Sequence, residues 1–233
     1  MVSMPTRIGL LVALAFAAPV LGGCQSTNSE NVKTPGMAAT FRATDDTIGT
    51  VAAHAQLKIG STYIDLSGGD AIFCDNVKLG KSEGAFNEID YEATIARLAP
   101  GQSYVFEFRR PATSESHLSY VIAPDPVVIA APGNGSIVSS KAPLSVAWTA
   151  AAMGGISISV TGSGVRGRSY SVGSDQGSYT IPANDLVCGD NLVACSGVLT
   201  VTRTVVGSGD PDFESADVKS ITSANVDIQV QAL

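Results

Sequence analysis

Apolar and polar residues alternate along most of the chain from Ala39 onward, and a period of two is the pattern of half-buried β-strands. Turn-forming Gly, Pro, Ser and Asp residues interrupt this alternation at short intervals. In the first half the predicted strands are Thr50–Ile59, Thr62–Leu66, Ala71–Cys74, Ile89–Leu98, Tyr104–Arg109 and His117–Ile122. A short helix is the alternative for Asn87–Leu98. The three aromatic residues within Tyr104–Arg109 share one strand face, which is typical of a core rather than of a sugar-stacking surface.

Pro124-Asp125-Pro126 ends this first series, and a second series of strands follows it. Its predicted strands are Val127–Ala130, Pro143–Thr149, Ile156–Thr161, Arg168–Val172, Gly177–Pro182, Gly197–Val206 and Ala216–Val230. The chain is 45% hydrophobic but only 15% charged and contains 24 Gly, a composition typical of an exported all-β protein with many turns. We therefore predict two β-rich domains, residues 39–125 and residues 126–233.

Residues 1–23 have the pattern of a targeting segment, since Arg7 precedes an apolar run of h-region length that is too short to span a bilayer. The run ends in Leu21-Gly22-Gly23-Cys24, which resembles the lipobox of bacterial lipoprotein precursors. The resemblance implies cleavage before Cys24 and lipid attachment to its thiol. Gln25 stands where that family's inner-membrane retention signal has Asp, which implies the outer membrane or cell surface. An ordinary signal peptide, with Cys24 as a plain thiol, is the alternative.

Residues 24–38 are polar, contain Pro35-Gly36 and lack periodicity, so we predict a flexible tether between the lipid and the folded part. The formal net charge is −7, and it becomes −8 once Arg7 is removed with the leader. An acidic protein is a poor ligand for nucleic acid and for anionic lipid. We expect membrane contact through the lipidated N-terminus alone.

Three segments of the second half resemble bacterial immunoglobulin-like or fibronectin type III-like modules. They are Ala131-Pro132-Gly133-Asn134-Gly135, Leu144-Ser145-Val146-Ala147-Trp148-Thr149 and Gly177-Ser178-Tyr179-Thr180-Ile181-Pro182. The resemblance covers about half of the mature chain and implies an immunoglobulin-like sandwich there, which is a statement about fold rather than function. The short strands and turns of residues 39–125 suggest a second small sandwich, so we predict an all-β protein with two small antiparallel immunoglobulin-like sandwiches in tandem.

Three cysteines remain if Cys24 is acylated, and export permits a disulfide. We favour Cys188 with Cys195, which would close a small loop and leave Cys74 as a buried thiol. Pairing of Cys74 with either partner stays open. Metal binding by the three cysteines is disfavoured because no C-x-x-C pair is present.

Candidate catalytic patterns are weak. Gly80-Lys81-Ser82-Glu83-Gly84 matches the nucleophile-elbow expression G-x-S-x-G, but we predict that it lies in a polar turn of a β-rich domain. A Ser-His-Asp site would need His54 or His117, and neither has a context that indicates a base. We predict no catalytic residues, hence no enzyme, and no cofactor.

Calcium is the remaining candidate ligand, because Asp210-Pro211-Asp212-Phe213-Glu214 is rich in carboxylates. An EF-hand loop starting at Asp210 would require Gly and Glu where Ser215 and Ile221 stand, so we predict no metal site. We expect a membrane-anchored envelope lipoprotein that acts as a non-enzymatic binding or structural module, contacting an envelope protein or polysaccharide. The alternatives are an accessory subunit of an envelope hydrolase and a calcium-dependent adhesion module.

Overall fold

The structure is a computed structural model that describes residues 26–45, 49–84, 88–189 and 192–231. Cys24 and the predicted leader lie outside these residues. The described strands are β1 Ser26–Asn28, β2 Ala38–Asp45, β3 Thr50–Ile59, β4 Thr62–Asp65, β5 Ala71–Cys74, β6 Val77–Lys78, β7 Gly80–Glu83, β8 Ile89–Ala96, β9 Ser103–Arg110, β10 Glu115–Ile122, β11 Ile129–Ala131, β12 Ser136–Ser139, β13 Leu144–Trp148, β14 Gly155–Thr161, β15 Arg168–Ser174, β16 Ser178–Ile181, β17 Ala194–Val206 and β18 Ser215–Gln231. Two short 3₁₀ helices, Ser29–Asn31 and Thr34–Gly36, separate β1 from β2.

Alternation of side chains explains why these segments are strands. In β9 the even-numbered residues from Tyr104 to Arg110 are buried, and the residues between them are more exposed. Ile89–Ala96 is a strand, so the helical alternative for this stretch is wrong. Across the described ranges the structure contains no helix with the length and apolar character that a membrane crossing requires.

One large sheet and two small sheets build the molecule. The large sheet has eleven strands, of which eight follow the order β1-β4-β3-β2-β18-β17-β14-β15, while β8 and β7 extend from β3 and β12 pairs with β18. The small sheets have the orders β10-β9-β5-β6 and β11-β13-β16. Most pairs are antiparallel as predicted, but β1–β4, β2–β18 and β12–β18 are parallel.

Each small sheet covers one part of the large sheet and encloses its own core. The first core contains Phe41, Leu57, Ile72 and Phe106, and the second contains Val146, Trp148, Ile158 and Leu199. The fold class is therefore confirmed as all-β, with two small sandwiches in tandem.

The domain boundary is more complicated than a single division after Asp125. Val205, Phe213 and Val218 come from the C-terminal part of the chain but belong to the first core. The reason is strand length: β18 has 17 residues and pairs with β2 of the first sandwich at one end and with β12 of the second at the other. A typical strand has only about 5–6 residues. The β17–β18 hairpin consequently belongs to both sandwiches.

The N-terminal segment differs from the flexible tether predicted for residues 24–38. From Ser26 onward it is ordered, β1 pairs with β4, and the buried residues Ser29, Thr34 and Met37 anchor it to the first sandwich. The sequence pattern missed this because two 3₁₀ turns have no period-two signal and their polar side chains bond to distant residues.

Candidate functional site

The four cysteines are distributed as follows. A disulfide joins Cys188 to Cys195, whose Cα atoms are 5.6 Å apart, and Cys74 is a free thiol buried in the first core. Burial is the main cause that raises the pKa of the Cys74 thiol far above its ordinary value, and the Asp75 carboxylate raises this pKa further. A buried thiol of this kind is unreactive, so Cys74 acts as a core residue. Cys24 lies outside the described residues.

Residues Gly80–Glu83 of the G-x-S-x-G sequence form the exposed strand β7, so the predicted turn is wrong, and there is no strand-to-helix elbow at this strand. Ser82 pairs with Asp90 on β8, and on the other side of β8 the Nε2 atom of His54 lies 2.9 Å from Asp90 Oδ1. A catalytic triad places the imidazole between the hydroxyl and the carboxylate. Here Asp90 lies on the middle strand, between Ser82 and His54. The imidazole therefore does not lie between the hydroxyl and the carboxylate, as a catalytic triad requires.

The structure brings His117 of β10 next to the loop before β18. Its Nδ1 atom lies 3.4 Å from Asp212 Oδ2 and 3.7 Å from Asp210 Oδ1, and its Nε2 atom lies 3.2 Å from Thr34 Oγ1. One ligand atom from each of His117, Asp210 and Asp212 falls within 4.8 Å of the others. An imidazole and two carboxylates are ligands for a divalent cation, so this cluster is the candidate metal site.

The hydrogen bonds and ring contacts of His117, Asp210 and Asp212 also account for their positions without a metal. Asp210 Oδ2 accepts from the Leu118 N–H at 2.8 Å, and Asp210 Oδ1 accepts from the Asp212 N–H at 2.9 Å. The His117 ring packs against Phe108 and Phe213, with centroid distances of 6.0 and 5.8 Å. These contacts hold the Asp210–Phe213 loop against β10. The bonds of these residues thus already serve the packing of this loop.

Arg110 is a second site that the sequence did not reveal. Its side chain is 7% exposed and donates to Asp70 Oδ2 at 3.2 Å, to Thr34 Oγ1 at 3.2 Å and to the Ser29 carbonyl at 2.8 Å. Through the last two bonds it attaches the N-terminal segment to β9. It also lines an open cavity of about 590 Å³, together with Glu30, Lys33 and Glu115.

Arg203 is a fully buried arginine on β17 of the shared hairpin. Its guanidinium donates to Asp175 Oδ2 at 2.6 Å, to the Thr149 carbonyl at 2.6 Å and to the Asp125 carbonyl at 2.5 Å. Burial acts to raise the pKa of Asp175, but hydrogen bonds from Trp148 and Arg203 outweigh it and hold that pKa below its ordinary value. The linker between the predicted domains is thereby tied to the shared hairpin.

The strand pattern of the sequence contained a signal for both buried arginines. Arg110 continues the buried face of Tyr104, Phe106 and Phe108, and Arg203 continues that of Leu199 and Val201. A charged residue at an inward position of a strand indicates a buried ion pair. The partner in each case is distant in sequence and had no signal.

No family model matches this chain, and no curated protein matches it. Among solved structures, it is similar to a chimeric titin Z1Z2 functionalized with an exogenous peptide from decorin, at 11% identity and a TM-score of 0.24, covering 86% of this chain and 96% of that one. It is similar to DIP-gamma IG1+IG2 at 10% identity and a TM-score of 0.23, covering 85% and 99%. A tetra-tandem repeat in the extending region of a large adhesion protein has 22% identity and a TM-score of 0.23, covering 84% of this chain and 50% of that one. Similarities this low support no conclusion about function.

Proposed function

We propose that the mature protein is a lipid-anchored lipoprotein of the bacterial cell envelope, in the outer membrane or at the cell surface, that acts as a non-enzymatic binding or structural module. The proposed partner is an envelope protein or polysaccharide. The anchor rests on the Leu21-Gly22-Gly23-Cys24 sequence.

The observation that best supports a binding or structural module is the β17–β18 hairpin. Its thirteen paired positions extend from Val206 opposite Lys219 to Ala194 opposite Gln231, and so from the first sandwich to the end of the second. Domains joined by a linker alone are free to move relative to each other. Here continuous strands cross the junction and Arg203 binds the linker, which favours a stiff two-part body that presents loops at its ends.

Fractionation of Cys24→Ala tests the anchor. The variant should leave the membrane fraction and appear with soluble exported protein, because it lacks the thiol that would carry the lipid. Cys74→Ala is the matched control: it also loses one thiol but keeps the lipobox, and it should remain in the membrane. Membrane retention of Cys24→Ala would refute the anchor.

Crosslinking in intact cells followed by purification tests the module. We expect one recurrent envelope protein or polysaccharide to be recovered with the wild type and to be lost with Cys24→Ala, which is displaced from the membrane. Recovery of the wild-type chain alone would argue against a binding role. Protease treatment of intact cells then shows whether the folded part is accessible from outside the cell.

A further inference from the structure

The beginning of β1 restricts where a lipid on Cys24 can lie. Only Gln25 separates Cys24 from Ser26, and consecutive Cα atoms are about 3.8 Å apart, so the Cα atom of Cys24 lies within about 8 Å of that of Ser26. Ser26 is paired with Tyr63 at the start of β4, next to the β3–β4 turn. The attachment point is thus held close to a defined place on the first sandwich.

The register of the large sheet shows which end of the molecule this is. Ser26 pairs with Tyr63, Tyr63 with Lys58, Lys58 with Ala38, and Ala38 with Ser215. These five residues form one row across the sheet, so Ser26, two residues after the proposed attachment point, is level with the first residue of β18.

The second sandwich lies toward the other end of the same strand. Val230 of β18 pairs with Cys195, which forms the disulfide with Cys188, and Gln231 pairs with Ser139 at the end of β12. A strand rises about 3.4 Å per residue, so the 17 residues of β18 extend roughly 55 Å from one end to the other.

The surface at the β1 end fits close approach to lipid headgroups without strong electrostatic attraction. Ile59 beside the β3–β4 turn is 40% exposed, and Lys58 lies over the Tyr63 ring. Apolar and lysine side chains are suited to an interface. Exposed Glu30 and Asp212 lie in the segments that adjoin this end, so the lipid and not charge would hold the protein there.

We propose that the β3–β4 turn of the first sandwich faces the lipid surface, and that the disulfide-bearing tip of the second sandwich points away from it. This orientation rests on the proposed lipid anchor. In this orientation the far tip of the second sandwich, which includes the disulfide and Ser139, is the part that contacts partners beyond the lipid surface.

Energy transfer to labelled vesicles tests the orientation. Full-length lipidated protein carrying Ser61→Cys or Lys141→Cys is labelled with a donor dye and bound to phosphatidylcholine vesicles that contain an acceptor on the lipid headgroup. Ser61 lies in the β3–β4 turn, and Lys141 is exposed just beyond β12. Cys74 is fully buried and should stay unlabelled. We expect strong transfer from position 61 and loss of most of it at position 141.

Equal transfer from the two positions, or stronger transfer from position 141, would overturn the orientation while leaving the anchor intact. Failure of the lipidated protein to float with vesicles would overturn the anchor and the orientation together. A variant with a Gly/Ser insertion of about ten residues after Gln25 is the matched control, because a flexible linker should reduce the difference between the two labels.

Discussion

Each sandwich contains a buried arginine on the inward face of a strand, and the two arginines do the same structural work. Arg110 ends the inward face of β9 and attaches the N-terminal segment, whereas Arg203 lies on the inward face of β17 and attaches the linker. Each is paired with one aspartate, Asp70 in the first sandwich and Asp175 in the second. In both sandwiches an irregular segment is thus held by a cation at a core position.

The difference is access to water. Arg203 is fully buried and its partner's side chain is 2% exposed, while the side chains of Arg110 and Asp70 are 7% and 4% exposed and Arg110 forms part of the wall of an open cavity. An ion pair that water cannot reach leaves an uncompensated charge when one partner is lost. Where Arg110 is shortened, water from the adjoining cavity can enter the space left by its guanidinium and partly solvate Asp70. The two buried arginines are therefore expected to contribute differently to stability.

Arg203→Met should have the largest effect, a loss of about 3–5 kcal/mol in the free energy of unfolding, because Asp175 would stay buried without its partner. Denaturant unfolding measures it with two probes: fluorescence of Trp148, the only Trp, reports the second sandwich, and labelling of Cys74 reports the first. Because the sandwiches share a hairpin, both transitions should move together.

Arg166→Met is the matched control, since Arg166 is exposed and such substitutions usually change stability by less than about 0.5 kcal/mol. A shift of the Trp148 transition alone would mean that the shared hairpin does not couple the sandwiches.

Loss of the disulfide should have the second largest effect on the free energy of unfolding. Replacing both Cys188 and Cys195 with Ala is expected to lower the free energy of unfolding by about 2–3 kcal/mol, because the bond restricts the unfolded chain. Wild-type protein in reductant serves as the comparison and should unfold at the same denaturant concentration as the double variant. If the variant matched the oxidised wild type, the bond would contribute nothing to the second sandwich.

Arg110→Met should cost less than Arg203→Met, about 1–3 kcal/mol, and should release the N-terminal segment because its bonds to Thr34 and Ser29 are lost. Tryptic cleavage after Lys33 measures the release and should become faster. Arg109→Met, on the outer face of the same strand, is the control and should leave cleavage unchanged. An effect of Arg110→Met as large as that of Arg203→Met would contradict the role assigned to water.

Divalent cations should have the smallest effect. Since both Asp210 oxygens already accept backbone hydrogen bonds, we expect calcium, zinc or a chelator to shift the melting temperature by less than about 1 °C. A rise of several degrees with either metal that disappears in Asp212→Asn would instead establish His117, Asp210 and Asp212 as a metal centre.

Much of the fold could be predicted because the period of two is a local property. Thr50–Ile59 and Ala71–Cys74 have the bounds that alternation predicted. The candidate site could not be predicted in the same way, because His117 and Asp210 are 93 positions apart and no local pattern records their contact. The ordered N-terminal segment was missed for the same reason, since Arg110 that holds it is 76 residues from Thr34.

The sequence by itself determined most of the strands, the all-β class with two cores, and the lipobox that underlies the proposed anchor, because each follows from residues close together in the chain. Only the tertiary structure decided that β17 and β18 serve both sandwiches and that Ser26 and Ser215 lie in one row. It also decided which aspartate each buried arginine meets. Strand pairing and ion pairing join residues at any separation, and their energies depend on burial that no single segment possesses alone.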